Sequence, residues 1–301
     1  MTVLGVDLGG TKLATALFAV DGSILHKSIA PLNGRAGADV GRLVCREITK
    51  SCQSATRKRL SVKAVGVAVP GVAWPQGAVW APNIPGWEKY PLRQEIEAAI
   101  SPRGIPVRIE SDRACYILGE VWKGAARGCS NAIFLAVGTG IGAGILMDGR
   151  VVNGADGLAG ATGWMALRLP FLPVYKQCGC FESHASGPGL AREAGAPDAR
   201  AVFEALGRND ARARKALRQA VVLWGMAVAN LISLFNPEKI VFGGGVFGPA
   251  ARFLPDIRTE AEKWAQPLAM QRVVLEVSAL SAEAGLYGAA WIARQAGRIS
   301  K

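Results

Sequence analysis

The spacing of hydrophobic and polar positions changes repeatedly along this chain, and each change marks an element. "TVLGVDL", residues 2–8, is an apolar run of strand length that stops at Gly9-Gly10. "LATALFAV" resumes at once, and Asp21-Gly22 turns the chain into a third strand, "SILHKSIA". Apolar runs joined by tight Gly-bearing turns predict β-hairpins. From Ala38 to Leu60 the period lengthens, with Val40, Leu43, Val44 and Ile48 at helical spacing. "VKAVGVAVPG" then reads as a buried strand ending at Pro70-Gly71, and a loop rich in Pro, Gly and Trp follows over 72–87.

The opening pattern returns later. "AIFLAVGTGIGAGILMDG" is again strand, glycine turn, strand and Asp-Gly, with Gly138-Thr139 where the first copy has Gly10-Thr11. Repetition of this kind predicts two related lobes. An apolar helix, "AVVLWGMAVANLISLF", leads through Asn236-Pro237 to the strand "KIVF" and three glycines, and "AEAGLYGAAWIARQAG" reads as a last helix rich in small residues. Alternating strands and helices predict an α/β fold with helices covering sheets. No low-complexity linker divides the lobes, so a shared interlobe cleft is expected.

Composition narrows the function classes. The chain has 301 residues, half of them hydrophobic, enough for a sizeable core. The segment nearest to a membrane span is interrupted by Asn230 and Ser233 and reads as a buried core helix. The start of the chain lacks a charged n-region and a small-residue cleavage site, so no signal peptide is expected. Cys45, Cys52, Cys115, Cys129, Cys178 and Cys180 have no disulfide-framework spacing, which suits cytosolic thiols and a cytoplasmic location. The net charge of +12 is dispersed; the densest basic cluster, "TRKRL", is short and has no interleaved aromatics. Neither a nucleic-acid nor a membrane partner is expected, and a diffuse field attracting a nucleotide is the milder reading.

Three glycine turns follow apolar strands: Gly9-Gly10-Thr11, Gly138-Thr139-Gly140 and Gly243-Gly244-Gly245. Glycine lets backbone N–H groups approach a phosphate closely. Thr11 and Lys12 can add a hydroxyl and an ammonium, and Asp7 can hold Mg²⁺ through water. No Walker loop is present, and "GGGVFG" is a lone, late match to a dinucleotide pattern. On position alone, Asp112 in "ESDRACYILGE" suits a helix N-cap as well as a functional carboxylate.

"DLGGTK", "APNIPGW", "ESDRACYILGE", "VGTGIGAGIL", "NPEKIVFGGGVF" and "EAGLYGAA" fall in the order seen in the ROK family (repressors, open reading frames, kinases), which the chain resembles over nearly its whole length. The family belongs to the superfamily of actin, sugar kinases and heat-shock ATPases. The resemblance implies two actin-like (ribonuclease H-like) lobes, each a mixed sheet flanked by helices. The expected small lobe is 1–111 plus a C-terminal helix at about 286–301, and the large lobe is 112–285. The repressors of the family carry an N-terminal helix-turn-helix; here the phosphate motif begins at Asp7, so the kinase branch is expected. ATP, Mg²⁺ and a hexose or hexose-like sugar are the implied ligands, and a homodimer is implied by analogy.

Residue by residue, the resemblance implies Asp112 as the catalytic base, which would take a proton from a sugar hydroxyl as the phosphoryl group arrives. It implies Asn83, Ser111, Asp112, Glu182 and Trp164 at the sugar. It implies Asp7, Gly9, Gly10, Thr11, Lys12, Gly138, Thr139, Gly140 and Gly243 to Gly245 at ATP, with Asp7 reaching Mg²⁺ through water.

The chain also departs from the family. Where many members have "GE-x-GH" and a zinc-binding cysteine set, this chain reads "GATGW", with Ala161 and Trp164 at the glutamate and histidine positions. The first two zinc cysteines fall on Pro173 and Tyr175, and Cys180 alone remains. Zinc needs about four ligands, so no zinc is expected, although a site rebuilt from Cys178, Cys180 and His184 is conceivable. Loss of two polar groups changes which hydroxyls a pocket accepts. The acceptor is left open among glucose, an amino sugar, an N-acetylhexosamine, a ketose and a cyclitol. The competing function is a sugar or nucleotide sensor without turnover.

Overall fold

The first strand, β1 (Thr2–Leu8), sends alternate side chains into two different cores. Leu4, Val6 and Leu8 join Val40, Leu43, Val44 and Ile48 of helix α1 (Ala38–Arg57). Val3 faces the other way, toward Leu286, Ala290 and Ala293 of the C-terminal helix (Ala284–Ile299). A strand whose apolar residues fall on both faces is buried on both. The structure, a computed structural model, describes residues 2–101 and 104–299.

Two compact units are formed. The first comprises Met1–Arg127, Asn153–Leu158 and Glu283–Lys301, and the second comprises Gly128–Val152 and Ala159–Ala282. In the first, β1 is followed by β2 (Lys12–Phe18), β3 (Ile24–Pro31) and, after α1, β4 (Val62–Val69). The stretch expected as plain loop holds a two-stranded ribbon, β5 (Val72–Ala73) with β6 (Val79–Trp80). Helix α2 (Leu92–Ile100), strand β7 (Val107–Ser111) and helix α3 (Asp112–Lys123) complete the unit with the C-terminal helix. The sheet order is β3-β2-β1-β4-β7. The hairpin pairs are antiparallel, whereas β1, β4 and β7 run parallel.

The C-terminal helix lies so close to α3 that a Cβ at Gly288 would stand 1.9 Å from the Cys115 carbonyl oxygen. The small residues read from the sequence thus serve helix-to-helix approach.

The second unit repeats the plan. Its strands are β8 (Ala132–Val137), β9 (Ile141–Met147), β10 (Arg150–Val151), β11 (Lys239–Gly243) and β12 (Val274–Val277), in the order β10-β9-β8-β11-β12. Again a three-stranded antiparallel meander is extended by two parallel strands. The repeated strand–turn–strand pattern is a repeated sheet. Between β10 and β11 run α4 (Tyr175–Cys178), α5 (Cys180–Ala185), α6 (Gly187–Ala194), α7 (Ala199–Gly207) and α8 (Ala211–Phe235), and α9 (Leu254–Glu262) and α10 (Pro267–Arg272) precede β12. Helix α8 is long and apolar enough to cross a membrane, yet 56% of that stretch is buried within the protein. Its Trp224 is fully enclosed and donates its indole N–H to the Ala185 carbonyl at 3.1 Å.

Candidate active site

In the first unit the register brings the chemistry to one sheet edge. Asp7 pairs with Ala68, and Ala68 pairs with Glu110, one residue before the end of β7. The parallel strands therefore end together, and the carboxyl ends of parallel strands are where α/β sheets place ligand-binding residues. After β1 the chain makes the turn Gly9 to Thr11, closed by the Gly9 N–H donating to the Lys12 carbonyl at 2.9 Å. Gly10, Thr11 and Lys12 are exposed. The Asp7 carboxylate lies against Gly285, in the first turn of the C-terminal helix, where a Cβ would come within 2.8 Å of Oδ2.

After β7 the chain enters α3 directly. Ser111 is the N-cap, and its hydroxyl oxygen accepts from the Ala114 N–H at 3.2 Å. The cap role that Asp112 could have filled thus belongs to its neighbour, and Asp112 is the first helical residue. Asp112 Oδ1 accepts from the Arg113 N–H at 2.8 Å, and Oδ2 accepts from the Tyr116 hydroxyl at 3.2 Å. The Arg113 guanidinium donates to the Gly157 carbonyl at 3.3 Å.

Burial sets the proton affinities of this cluster. It pushes Asp7 up to about 7, with the nearby Asp112 charge adding to the rise and Lys12 opposing it. It pushes Asp112 up to about 6, against the Arg113 charge, the Arg113 N–H and the Tyr116 hydroxyl. Glu110 is also raised by burial, against hydrogen bonds from the Ser111 N–H and the Asn153 side chain. Asp7 and Asp112 are thus close enough to repel. Asn83 is exposed in the turn 81–87, which is anchored by the Trp87 indole N–H to the Gly37 carbonyl at 2.9 Å and by stacking of Trp87 on Tyr90 at 4.4 Å.

In the second unit the other glycine turns lie side by side. The turn after β8 is closed by the Gly138 N–H to the Gly140 carbonyl at 2.9 Å, and the Gly138 carbonyl accepts from the Gly187 N–H at 2.8 Å. A Cβ at Gly138 would lie 3.6 Å from the Gly245 nitrogen, so the turn after β11 is its neighbour. Gly244 has φ of 86°, and a Cβ there would stand 2.4 Å from the Val137 carbonyl oxygen. Thr139, Gly140, Gly244 and Gly245 are exposed.

Glu182, on α5, reaches the same turn. Its Oε2 accepts from the Ile141 N–H at 2.6 Å, and Cβ atoms at Gly140 and Gly163 would each stand 2.9 Å from that oxygen. Burial raises its carboxyl, and the Ile141 N–H opposes the rise. Trp164 ends the neighbouring 3₁₀ turn, Thr162–Trp164, and is 56% exposed.

The cysteine stretch forms two short helices broken at Gly179, whose φ is 81°. Cys178 and Cys180 make long contacts to carbonyl oxygens, Cys180 to that of Arg168 at 3.8 Å, and Cys180 also meets the Tyr175 side chain. His184 is enclosed by hydrogen-bonding partners: the Tyr175 hydroxyl at 2.8 Å, Glu193 Oε1 at 3.0 Å and the Arg168 guanidinium at 3.3 Å. Among the described residues, no group of three or more His, Cys, Asp or Glu is gathered as a metal site. Mg²⁺ in phosphoryl transfer is held by one or two carboxylates with substrate phosphates. The Asp7 carboxylate, at the end of β1 beside the turn Gly9 to Thr11, fits that donor set.

Sequence reasoning overlooked Tyr116 and the Tyr175–His184–Glu193 chain. Tyr116 stands four residues after Asp112, a signal that becomes visible once the start of α3 is known.

The ROK family model matches residues 3–296 of this chain. The glucokinase of Halalkalibacterium halodurans is 30% identical over 97% of this chain and 94% of its own. A ROK hexokinase from Thermus thermophilus superposes with a TM-score of 0.82 at 32% identity, covering 99% of this chain and 100% of that one. A ROK glucokinase from Streptomyces griseus, solved with glucose and AMPPNP, superposes with a TM-score of 0.80 at 27% identity over 98% and 100% of the two chains. Two related sheets, glycine turns at their strand ends and a match over nearly the whole chain lead to one conclusion: the protein belongs to the ROK family.

Proposed function

We propose that the protein is an ATP-dependent sugar kinase that transfers a phosphoryl group to a hydroxyl of a hexose or hexose-like sugar, with Asp112 as general base. The observation that carries this reading is the state of Asp112. Its carboxylate stands at the end of a parallel strand, held by its own helix, with a proton affinity lifted to about 6. A base poised near the working pH is what proton removal from a sugar hydroxyl requires. Kinship with glucokinases supplies the reaction class.

The remaining roles follow from donor chemistry. Thr11, Lys12 and the N–H group of Gly10 suit phosphate, as do those of Thr139 and Gly140, while the Gly9 and Gly138 N–H groups close the two turns that present them. The turn Gly243 to Gly245 suits the nucleotide. Asp7 would hold Mg²⁺ through water, and the ion would neutralise charge on the phosphates. Asn83 and Glu182 would take sugar hydroxyls, and Trp164 would offer a ring face. Ser111 already spends an oxygen lone pair on its cap, so its O–H donor is what it could lend to a sugar.

The test is ADP release across glucose, mannose, fructose, N-acetylhexosamines, amino sugars and cyclitols. Turnover with one of these, lost in Asp112→Asn, is the expected result. Full turnover in that variant would remove Asp112 from the role. A second reading, a sensor that binds sugar or nucleotide without turnover, is favoured by Ala161 and Trp164 at positions that are polar in the family. Calorimetric binding with no ADP release on any of these sugars would support it.

A further inference from the structure

Helix α5, which carries Glu182, has only six residues, and no side chain caps its start. A helix so short does not hold itself in place. Phe181 and Ala185, one turn apart, bury one face of it in the core of the second unit. Glu182 reaches the turn after β8, where Oε2 accepts from the Ile141 N–H at 2.6 Å. His184 stands two residues on, about 200° round the helix, and so leaves it on the far side from Glu182. There it is buried between Tyr175 of α4 and Glu193 of α6. A carboxylate only accepts, so the Nδ1 that lies 3.0 Å from Glu193 Oε1 is assigned the ring proton. Nε2 is then the acceptor and takes the Tyr175 hydroxyl proton at 2.8 Å. Both ring nitrogens are thus occupied, which leaves His184 none to offer a metal. Tyr175 and Cys180 fall at two of the family's zinc-cysteine positions, and here they meet each other within this chain of hydrogen bonds.

We propose that Tyr175, His184 and Glu193 are positioning residues for Glu182: their hydrogen bonds, without a metal, fix the rotation of α5 and so hold the Glu182 carboxylate on the turn after β8. The effect on the sugar rests on the reading of Glu182 as a sugar ligand. The apolar face alone lets a short helix roll, because burial of Phe181 and Ala185 is not directional. Hydrogen bonds are directional, and a satisfied buried network specifies one arrangement. Arg192 of α6 adds a bond to the Ser183 carbonyl, and the Ser183 hydroxyl donates to the Cys180 carbonyl at 2.9 Å. Those bonds engage the backbone of α5, whereas the His184 ring is the side chain through which α4 and α6 both grip it.

The experiment compares Tyr175→Phe, Glu193→Leu and Glu193→Gln in the full chain, with two readouts. One is the Ile141 amide proton by NMR without substrates, which reports its bond to the Glu182 carboxylate. In Tyr175→Phe and Glu193→Leu it should move upfield, toward its position in Glu182→Ala, while the Trp87 indole proton of the first unit stays put. The other is the KM for the sugar that the acceptor panel identifies. It should rise about three- to tenfold in those two variants, with the KM for ATP within about twofold of the parent. Glu193→Gln keeps an oxygen to accept the Nδ1 proton and should restore both readouts. If Glu193→Leu does not fold, Tyr175→Phe keeps the test, since it retains the ring and its edge contact with Phe171. A zinc chelator should leave Tm and sugar KM unchanged; a loss of either on chelation would overturn the metal-free grip. An Ile141 proton unmoved in both disruptive variants would overturn the proposal. So would a moved proton with an unchanged sugar KM, provided Glu182→Gln raises that KM. If Glu182→Gln leaves the sugar KM unchanged, the sugar role of Glu182 fails instead, and the Ile141 proton still decides whether the network positions Glu182.

Discussion

The turn after β1 in the first unit adjoins two repelling carboxylates, whereas the turn after β8 in the second adjoins a second glycine turn and the single carboxylate of Glu182. The strand order leading to each turn is the same. The backbone at the turns differs too. A Cβ at Gly10 would meet nothing within 4 Å, but one at Gly244, in the turn after β11 that neighbours the turn after β8, would collide with the Val137 carbonyl. A repeated scaffold thus carries raised, mutually repelling carboxylates at one strand edge and closely packed glycine turns at the other. Similar sheets place residues at similar edges; which residues stand there decides what each edge can do.

The largest effect should come from breaking the carboxylate side. Asp112→Asn should lower turnover by about a thousandfold, within the range expected for a lost general base, while ATP still binds. ADP release with calorimetry on the same variant checks both halves. In the second unit, Glu182→Gln keeps the shape and an oxygen to accept the Ile141 N–H but removes the charge. It should lower kcat/KM for the sugar by about ten- to a hundredfold, mainly through KM, because hydrogen bonds to charged groups are worth about 1.5–3 kcal/mol. An unchanged sugar KM would take Glu182 out of the sugar site.

The glycines sharpen the contrast without touching a charge. Gly244→Ala forces a side chain into a left-handed conformation against a carbonyl and should cost about 1–3 kcal/mol, seen as a lower Tm. Gly10→Ala should leave Tm within about a degree or two, since the site is open. Equal losses at both positions would erase the distinction drawn between the turns.

The smallest effect concerns pH and stability. The Asp7 carboxyl in the folded protein titrates at about 7, above the ordinary 3.8. Between those values the folded state binds more protons than the unfolded one, so this group's contribution to stability falls as pH rises through the window and stays lost above it. Asp7→Asn should therefore raise Tm by a few degrees at pH 8, without nucleotide or metal, and change it little at pH 4. A Tm that falls equally at both pH values would mean that Asp7 is structural rather than electrostatically strained.

Much of this was legible in the sequence. The glycine turns could be read because an apolar run cut by glycines has few alternatives to a hairpin, and the two copies support one another. Asp112 could be singled out by its place after a strand and its match to a family motif. Its hydrogen-bonding partners were hidden, because the i, i+4 relation to Tyr116 depends on the helix starting at Asp112 and not a residue or two later. Ser111 was ambiguous for the same reason, and the structure gives it the cap. The chain Tyr175–His184–Glu193 could not be seen at all. It joins α4, α5 and α6 across breaks at Gly179 and Ser186, and periodicity does not carry through such breaks.

The wall behind Asp7 has a consequence for the order of assembly. Asp7 is synthesised long before Gly285, against which its carboxylate rests. Val3, Ala14, Ala16 and Phe18 likewise await Leu286 and Ala290 before one face of their sheet is covered. Contacts this distant in sequence pay their loop-closure entropy before they return any stability. During translation the β1–β2 hairpin must therefore wait with one apolar face uncovered, and the pocket that raises the Asp7 proton affinity closes only when the segment bearing Gly285 and Leu286 arrives. Hydrogen exchange on stalled nascent chains would register that event as late protection of β1.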